Sequence, residues 1–340
     1  MHTDTTVEEL LKPACPSIKY RIRREIFNES ISTKEMKNIQ KQILQDDVVR
    51  GILNSQDHNG WLGKRFHGYD SMEAEIRLLC EKGVSTKHSA LANALLVLET
   101  STDRIIQDMG TVGRILDEWG LGGTLMMRAT IFAYAKAENK AFMKEQIKIA
   151  LEGFRAVLTV ESIDDIVELY RGKLVFRPGV KWPSIYHLRL LAFTHSWRIP
   201  QHQKMVVESV KKLIKLSPIP SVKVRFKSQI MAPASFGLPD FNPAMTSLNA
   251  AQWMMWFHQM ELLSRLDVVR SVSELRSQVN ILRKMLDNNE GWFTKQISHD
   301  YFTHWGAYTG LMLERDWRIS QRRIYDLTFR CLLIRHYSKI

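Results

Sequence analysis

Gln56-Asp57-His58-Asn59-Gly60-Trp61 and Asp287-Asn288-Asn289-Glu290-Gly291-Trp292 are two short polar turns, and each closes on Gly-Trp. Each leads into a polar stretch rich in His and Tyr, and then into a long helical pattern. A turn-plus-helix unit met twice predicts an all-α chain made by stacking similar units. Outward from these turns the helix signals dominate. Ser32-x-x-Glu35, Asp70-x-x-Glu73 and Ser271-x-x-Glu274 read as capping boxes, in which the first side chain accepts from a free backbone N–H and the Glu reaches back. They predict helices over 33–44, 70–81 and 272–286, with Gly83 supplying the left-handed residue that stops the second. Pro183 sits where a first-turn proline belongs, ahead of a helix over 185–196. The stretch 247–266 is apolar on more than one face, which predicts a deeply buried helix. Further helices are expected near 87–99, 103–118, 124–137, 140–158, 163–171, 201–216, 303–313 and 319–336.

One irregular stretch, 217–243, holds five prolines (218, 220, 233, 239 and 243). Such a loop is either a lid or a plain connection packed down by its prolines and Phe236. Within it Val222-Lys223-Val224-Arg225-Phe226-Lys227 alternates apolar and basic residues, so at most one short strand with a basic face is expected. Residues 1–30 read as an N-terminal extension and 31–340 as a single helical domain.

The 340 residues are 45% hydrophobic and 25% charged, enough apolar material for one large core or two smaller ones. No run of about 18 apolar residues predicts a membrane span. The first sixteen residues lack the apolar core of a signal peptide. Three scattered cysteines, with no metal-ligand spacing, point to a reduced, cytoplasmic protein. Charge is uneven. Residues 1–170 carry 22 basic and 25 acidic side chains, and residues 171–340 carry 26 and 11. A basic C-terminal half points to an anionic partner, such as nucleic acid, a phosphorylated small molecule or a membrane surface, or simply to a basic surface that aids solubility.

Turn-Trp units between paired helices resemble the α/α-toroid superfamily of terpenoid cyclases (squalene–hopene cyclase among them) and protein prenyltransferase β subunits. Residues 56–61 are similar to that family's Gln-x-x-x-Gly-x-Trp turn with one residue missing, and in the second copy Asp287 replaces the Gln. A third relative is Gly179-Val180-Lys181-Trp182, followed by Leu188-Arg189-Leu190-Leu191-Ala192. That segment parallels Ile76-Arg77-Leu78-Leu79-Cys80 after the first turn. The resemblance implies an α/α toroid, complete or incomplete, with an apolar or isoprenoid-type ligand in a central cavity. It also implies an Asp-x-Asp-Asp acid motif, which the chain lacks. The nearest string is Ser162-Ile163-Asp164-Asp165, with Asp164 as the proton donor it would need. Asp164 and Asp165 are more simply explained as first-turn acids behind a Ser162 N-cap. The family's zinc ligands have no counterpart here, and no metal or cofactor is expected.

Candidate ligand-binding rings are Trp61, Trp182, Tyr186, Trp253, Trp256, Trp292, Tyr301 and Trp305. An aromatic face stabilises a cation by about 0.5–2 kcal/mol, though each ring taken singly is more simply read as core or inter-helix packing. His187 with Arg189, His67 beside the first turn, and His304 with Asp300 are the candidate proton-transfer and binding groups. None matches a metal motif. Gly120-Leu121-Gly122-Gly123-Thr124 lacks the Lys of a P-loop and reads as a tight turn between helices. No nucleophile elbow supports hydrolase chemistry. Two further readings stand beside the toroid. One is an open helical repeat binding nucleic acid through Lys211, Lys212, Lys215, Lys223, Arg225, Lys227, Arg322 and Arg323. The other is an α/α barrel acting on carbohydrate, with Trp platforms and paired carboxylates drawn from Asp57, Asp300 and Glu314.

Overall fold

A computed structural model describes residues 2–233 and 240–339, so Phe236 and Pro239 of the irregular stretch lie outside the described residues. In chain order the helices are α1 His2–Leu11, α2 Pro16–Arg21 running into a π-turn Ile22–Ile26, α3 Lys34–Ile43, α4 Asp47–Asn54, α5 Met72–Lys82 and α6 Ser89–Thr100. There follow α7 Thr102–Glu118, α8 Thr124–Tyr134, α9 Ala141–Val157, α10 Ile185–Phe193, α11 Pro200–Leu216, α12 Ala250–Arg265, α13 Ser273–Asp287, α14 Asp300–Thr303 and α15 Ser320–Ser338. The chain is mostly helical. The strands β1 Val167–Tyr170, β2 Lys173–Phe176, β3 Lys223–Phe226 and β4 Gln229–Pro233 form one sheet in that order.

The sheet corrects the expectation of at most one short strand. Residues 163–171, expected as a helix, make a single 3-10 turn and then β1. β1 and β2 pair antiparallel about Arg171-Gly172, both with positive φ, the backbone that a tight two-residue hairpin turn demands. β3 falls where alternation places it, pairs parallel with β2 and returns antiparallel as β4. The expected helix over 303–313 is also absent: α14 ends at Thr303 and the chain runs irregularly from there to α15. Several caps shift by a residue or two. Thr33 rather than Ser32 caps α3, Ser71 rather than Asp70 caps α5, and Ser184 rather than Pro183 opens α10.

The chain divides into two units. The first comprises residues 1–101, 248–264 and 277–340, and the second 102–247 and 265–276. In the first unit the N-terminal residues are core. Leu10, Ile18 and Ile22 pack with Phe329, Leu332 and Leu333 of α15. Trp253, Trp256, Phe257 and Phe293 form an aromatic cluster with ring centres 5.3–5.6 Å apart. Charge is buried with them. Arg21 and Arg330 bind both Glu81 and Glu261 at 2.8–3.3 Å. Each ion loses water on burial and regains it only as partners, so the network ties α2, α5, α12 and α15 into one arrangement.

In the second unit α8, α9, α10 and α11 pack around Phe132, Phe154, Leu188 and Val210. His187 is fully buried here. Its Nε2 donates to the Gly120 carbonyl at 3.1 Å and its Nδ1 accepts from Ser184 N at 3.0 Å. The Gly120–Gly123 turn thus joins α7 to α8, as its glycines predict, and His187 fastens it. Among the described residues, no helix is long and apolar enough to cross a membrane.

Candidate functional site

Helix α5 carries charge on two faces. Glu73 and Arg77 lie one turn apart and are buried, and Ala74, Glu75 and Leu78 face a cleft. The buried pair holds the two loops that wall this cleft. Glu73 Oε2 lies 2.7 Å from Nδ1 of His67, in the loop after the first Gly-Trp turn. Arg77 donates to the Thr309 carbonyl and, at 3.2 Å, to the Gly306 carbonyl, in the loop after α14. Its guanidinium lies 4.9 Å from the Trp305 ring centre.

Glycines give these rings their places. A Cβ on Gly306 would come within 2.8 Å of the Tyr69 ring, and one on Gly310 within 2.6 Å of Trp305. Gly310 also has φ +99°, a conformation that disfavours a side chain. The first loop is fixed by its own backbone: Lys64 N donates to Asp70 O, and Met72 N to Arg65 O. The cleft between the loops measures about 460 Å³ and is lined by Ile52, Tyr69, Asp70, Ala74, Glu75, Leu78, Thr303, His304 and Trp305.

Glu75 is the chemically distinctive group. Its Oε2 is buried and has no hydrogen-bond partner among the described residues. Burial, and then the negative charge of Asp70, push its carboxyl up to about 7. Both its protonated and its ionised forms are therefore populated near neutral pH. Asp70, His304 and Tyr69 are exposed at the mouth. One wall thus carries a proton donor and acceptor, and the others carry a carboxylate, an imidazole and two aromatic rings.

Of the residues singled out in the sequence, the structure brings His304 and Trp305 into this cleft, with His67 held behind it through Glu73. Asp300 opens the four-residue α14 and is exposed. Trp61, Trp182, Trp253 and Trp256 are packed at 1–2% exposure and line neither this cleft nor the one described below. Tyr186 and Arg189 are buried in α10, 5.4 Å apart from guanidinium to ring centre. Trp292 is half-buried against Tyr325. His187 is locked as described, and burial lowers it to about 4, so it is neutral at physiological pH.

Asp164 and Asp165 are exposed. Asp165 accepts from the Glu161 and Ser162 N–H groups while Ser162 Oγ accepts from Asp164 N, a complete capping box. Among the described residues no three His, Cys, Asp or Glu side chains are arranged to hold a metal ion.

Sequence reasoning missed Glu75, Asp70 and Tyr69. Asp70, predicted to cap the helix, stands outside it at φ +48°. A signal for Glu75 was present. In Met-Glu-Ala-Glu-Ile-Arg-Leu-Leu, Glu75 lies off the stripe of Glu73 and Arg77, so the acids of this turn cannot all serve one partner. Comparison with protein families, with curated proteins and with solved structures finds no match in any of the three.

Proposed function

We propose that the α5 cleft is a general acid–base site acting on a carbohydrate-type substrate, with Glu75 as the proton donor. The observation that carries this reading is Glu75 itself: a buried oxygen without a partner, facing a cleft, with its proton held near pH 7. A catalytic acid works best when its pKa lies near the working pH. Asp70 supplies a second carboxyl at the mouth, the pairing that glycoside cleavage uses. Tyr69 and Trp305 offer the flat apolar surfaces against which sugar rings rest, and a cleft of 460 Å³ suits a small ligand. The three cysteines form no disulfide among the described residues, which fits a reducing compartment such as the cytoplasm.

The test is turnover of a panel of methyl glycosides and disaccharides, whose alkoxide leaving groups need a proton, by the wild type, Glu75→Gln and Asp70→Asn. The expected result is activity with at least one glycoside, falling above pH 7, and reduced at least a hundredfold in Glu75→Gln. Glu75→Gln as active as the wild type would remove Glu75 as the acid. No turnover of any glycoside would remove the carbohydrate assignment.

A second reading keeps the α/α-toroid arrangement and an isoprenoid-type ligand. It is favoured by a repeated detail. Gly60 and Gly291 both have positive φ ahead of their Trp, and both follow a helix, α4 and α13. Buried arginines recur in Ile76-Arg77-Leu78-Leu79, Leu188-Arg189-Leu190-Leu191 and Phe329-Arg330-Cys331-Leu332. Glu75 weighs against the cyclase chemistry of that reading. Protonating an alkene needs an acid stronger than an ordinary carboxyl, and Glu75 is weaker. The nucleic-acid reading has less support, because Lys211, Lys212 and Arg225 are already paired with Glu208, Glu161 and Glu168.

A further inference from the structure

The second unit contains a cleft of a different character, about 610 Å³, along one face of α9. Lys144, Ile147, Lys148, Leu151, Glu152 and Arg155 recur at three- and four-residue steps, so they form one stripe on that helix. Ile147, Leu151 and Trp197 are buried and give the cleft an apolar floor. Lys144, Lys148 and Arg155 are exposed along its rim.

The two acids of the lining are occupied. Glu138 accepts from the backbone N–H groups of His195 and Ser196 at 2.8 and 2.7 Å. Glu152 binds Lys181 at 2.6 Å, and that bond to the ammonium holds its carboxyl below the ordinary value. Lys148 spends part of its charge on exposed Glu145 at 3.8 Å. Lys144 and Arg155 make no direct ion pair among the described residues; Arg155 shares the field of Glu152 with Lys181 and Lys148, so the basic side chains of the rim outnumber its acids.

From this pairing of an apolar floor with a cationic rim we infer that the α9 cleft binds a soluble phosphate monoester carrying an apolar chain. The floor disfavours a bare anion as the best ligand, because an anion would leave the apolar part of the cleft lining in water. The rim excludes a neutral or cationic apolar ligand, because the like charges of Lys144, Lys148 and Arg155 would be left facing one another. A phosphate ester satisfies both, with its dianion on the rim and its chain on the floor. This inference is independent of the α5 cleft.

Calorimetric titration with octyl phosphate, inorganic phosphate and octyltrimethylammonium tests it, on the wild type and on Lys144→Glu/Arg155→Glu. Both substituted side chains are exposed, so the double variant is expected to keep the wild-type melting temperature. The expected result is octyl phosphate binding at least tenfold tighter than either other ligand, weakened by salt and at least tenfold weaker in the double variant. Inorganic phosphate binding as tightly as octyl phosphate would overturn the proposal, since the floor would have no part. Equal affinity in the double variant would overturn it too. Binding to phosphatidic-acid vesicles without binding of octyl phosphate would overturn the soluble ligand in favour of a lipid surface.

Discussion

The Arg77 guanidinium lies 4.9 Å from the centre of the Trp305 ring and, on the same side chain, donates to the carbonyls of Gly306 and Thr309. One buried arginine thus sets both the backbone and the aromatic wall of the loop that faces Glu75. The two residues are 228 positions apart in the chain. That contact joins α5 to the loop that carries His304 and Trp305 of the cleft lining.

Arg77→Ala should therefore cost at least about 3 kcal/mol. Two charge-assisted hydrogen bonds at roughly 1.5–3 kcal/mol each are lost, and the carbonyls they served stay buried. Denaturant unfolding measures the loss. Hydrogen exchange should speed up at 304–310 before the rest of the first unit. Uniform exchange across that unit would show that Arg77 does not hold the loop specifically.

Glu75 gives stability an unusual pH dependence. Its folded pKa of about 7 lies above the ordinary 4.5, so the native state binds more protons than the unfolded chain between those values. Stability from this group is present below pH 4.5 and is lost as pH rises toward 7. Glu75→Gln should raise the melting temperature relative to the wild type at pH 8 and lose that advantage by pH 4.5. A difference independent of pH would mean that Glu75 is ionised normally.

His187 acts in the opposite sense. Burial holds it at about 4, below the usual 6.5, so between these values the unfolded chain takes up a proton that the native state refuses. Its contribution is present above pH 6.5 and is lost as pH falls toward 4. His187→Gln should be less stable than the wild type at pH 7, with the gap narrowing as pH falls through that window. Nuclear magnetic resonance titration should find the His187 ring neutral down to about pH 4. A ring titrating near 6.5 would contradict the buried placement.

Trp256 is 1% exposed, and its Nε1 donates to Gln278 Oε1 at 2.7 Å within the aromatic cluster. Trp256→Ala should cost about 3–5 kcal/mol through the cavity it opens. A near-neutral effect in denaturant unfolding would show that α12 is not core.

Most helices were legible because their signals are local. Amphipathic spacing placed α3, α9, α11 and α15 within a few residues, and glycines marked the stop of α5 and the α7–α8 turn. The misreadings were also local in origin. Residues 163–171 have helix-like acids at their start, but Val-Glu-Leu-Tyr before Arg171-Gly172 pairs with Lys-Leu-Val-Phe after it, and that pairing is not visible from either half alone. The polar loop 303–313 was expected as a helix, yet its carbonyls are taken by Arg77, a donor more than 220 residues away. The sequence by itself determined where the backbone could satisfy its own hydrogen bonds, because helix periodicity and caps depend on neighbours a few residues apart. Only the tertiary structure decided that Glu75 faces a cleft with its proton retained. That state depends on removal from water and on the charge of Asp70, and both are properties of how distant loops close over α5.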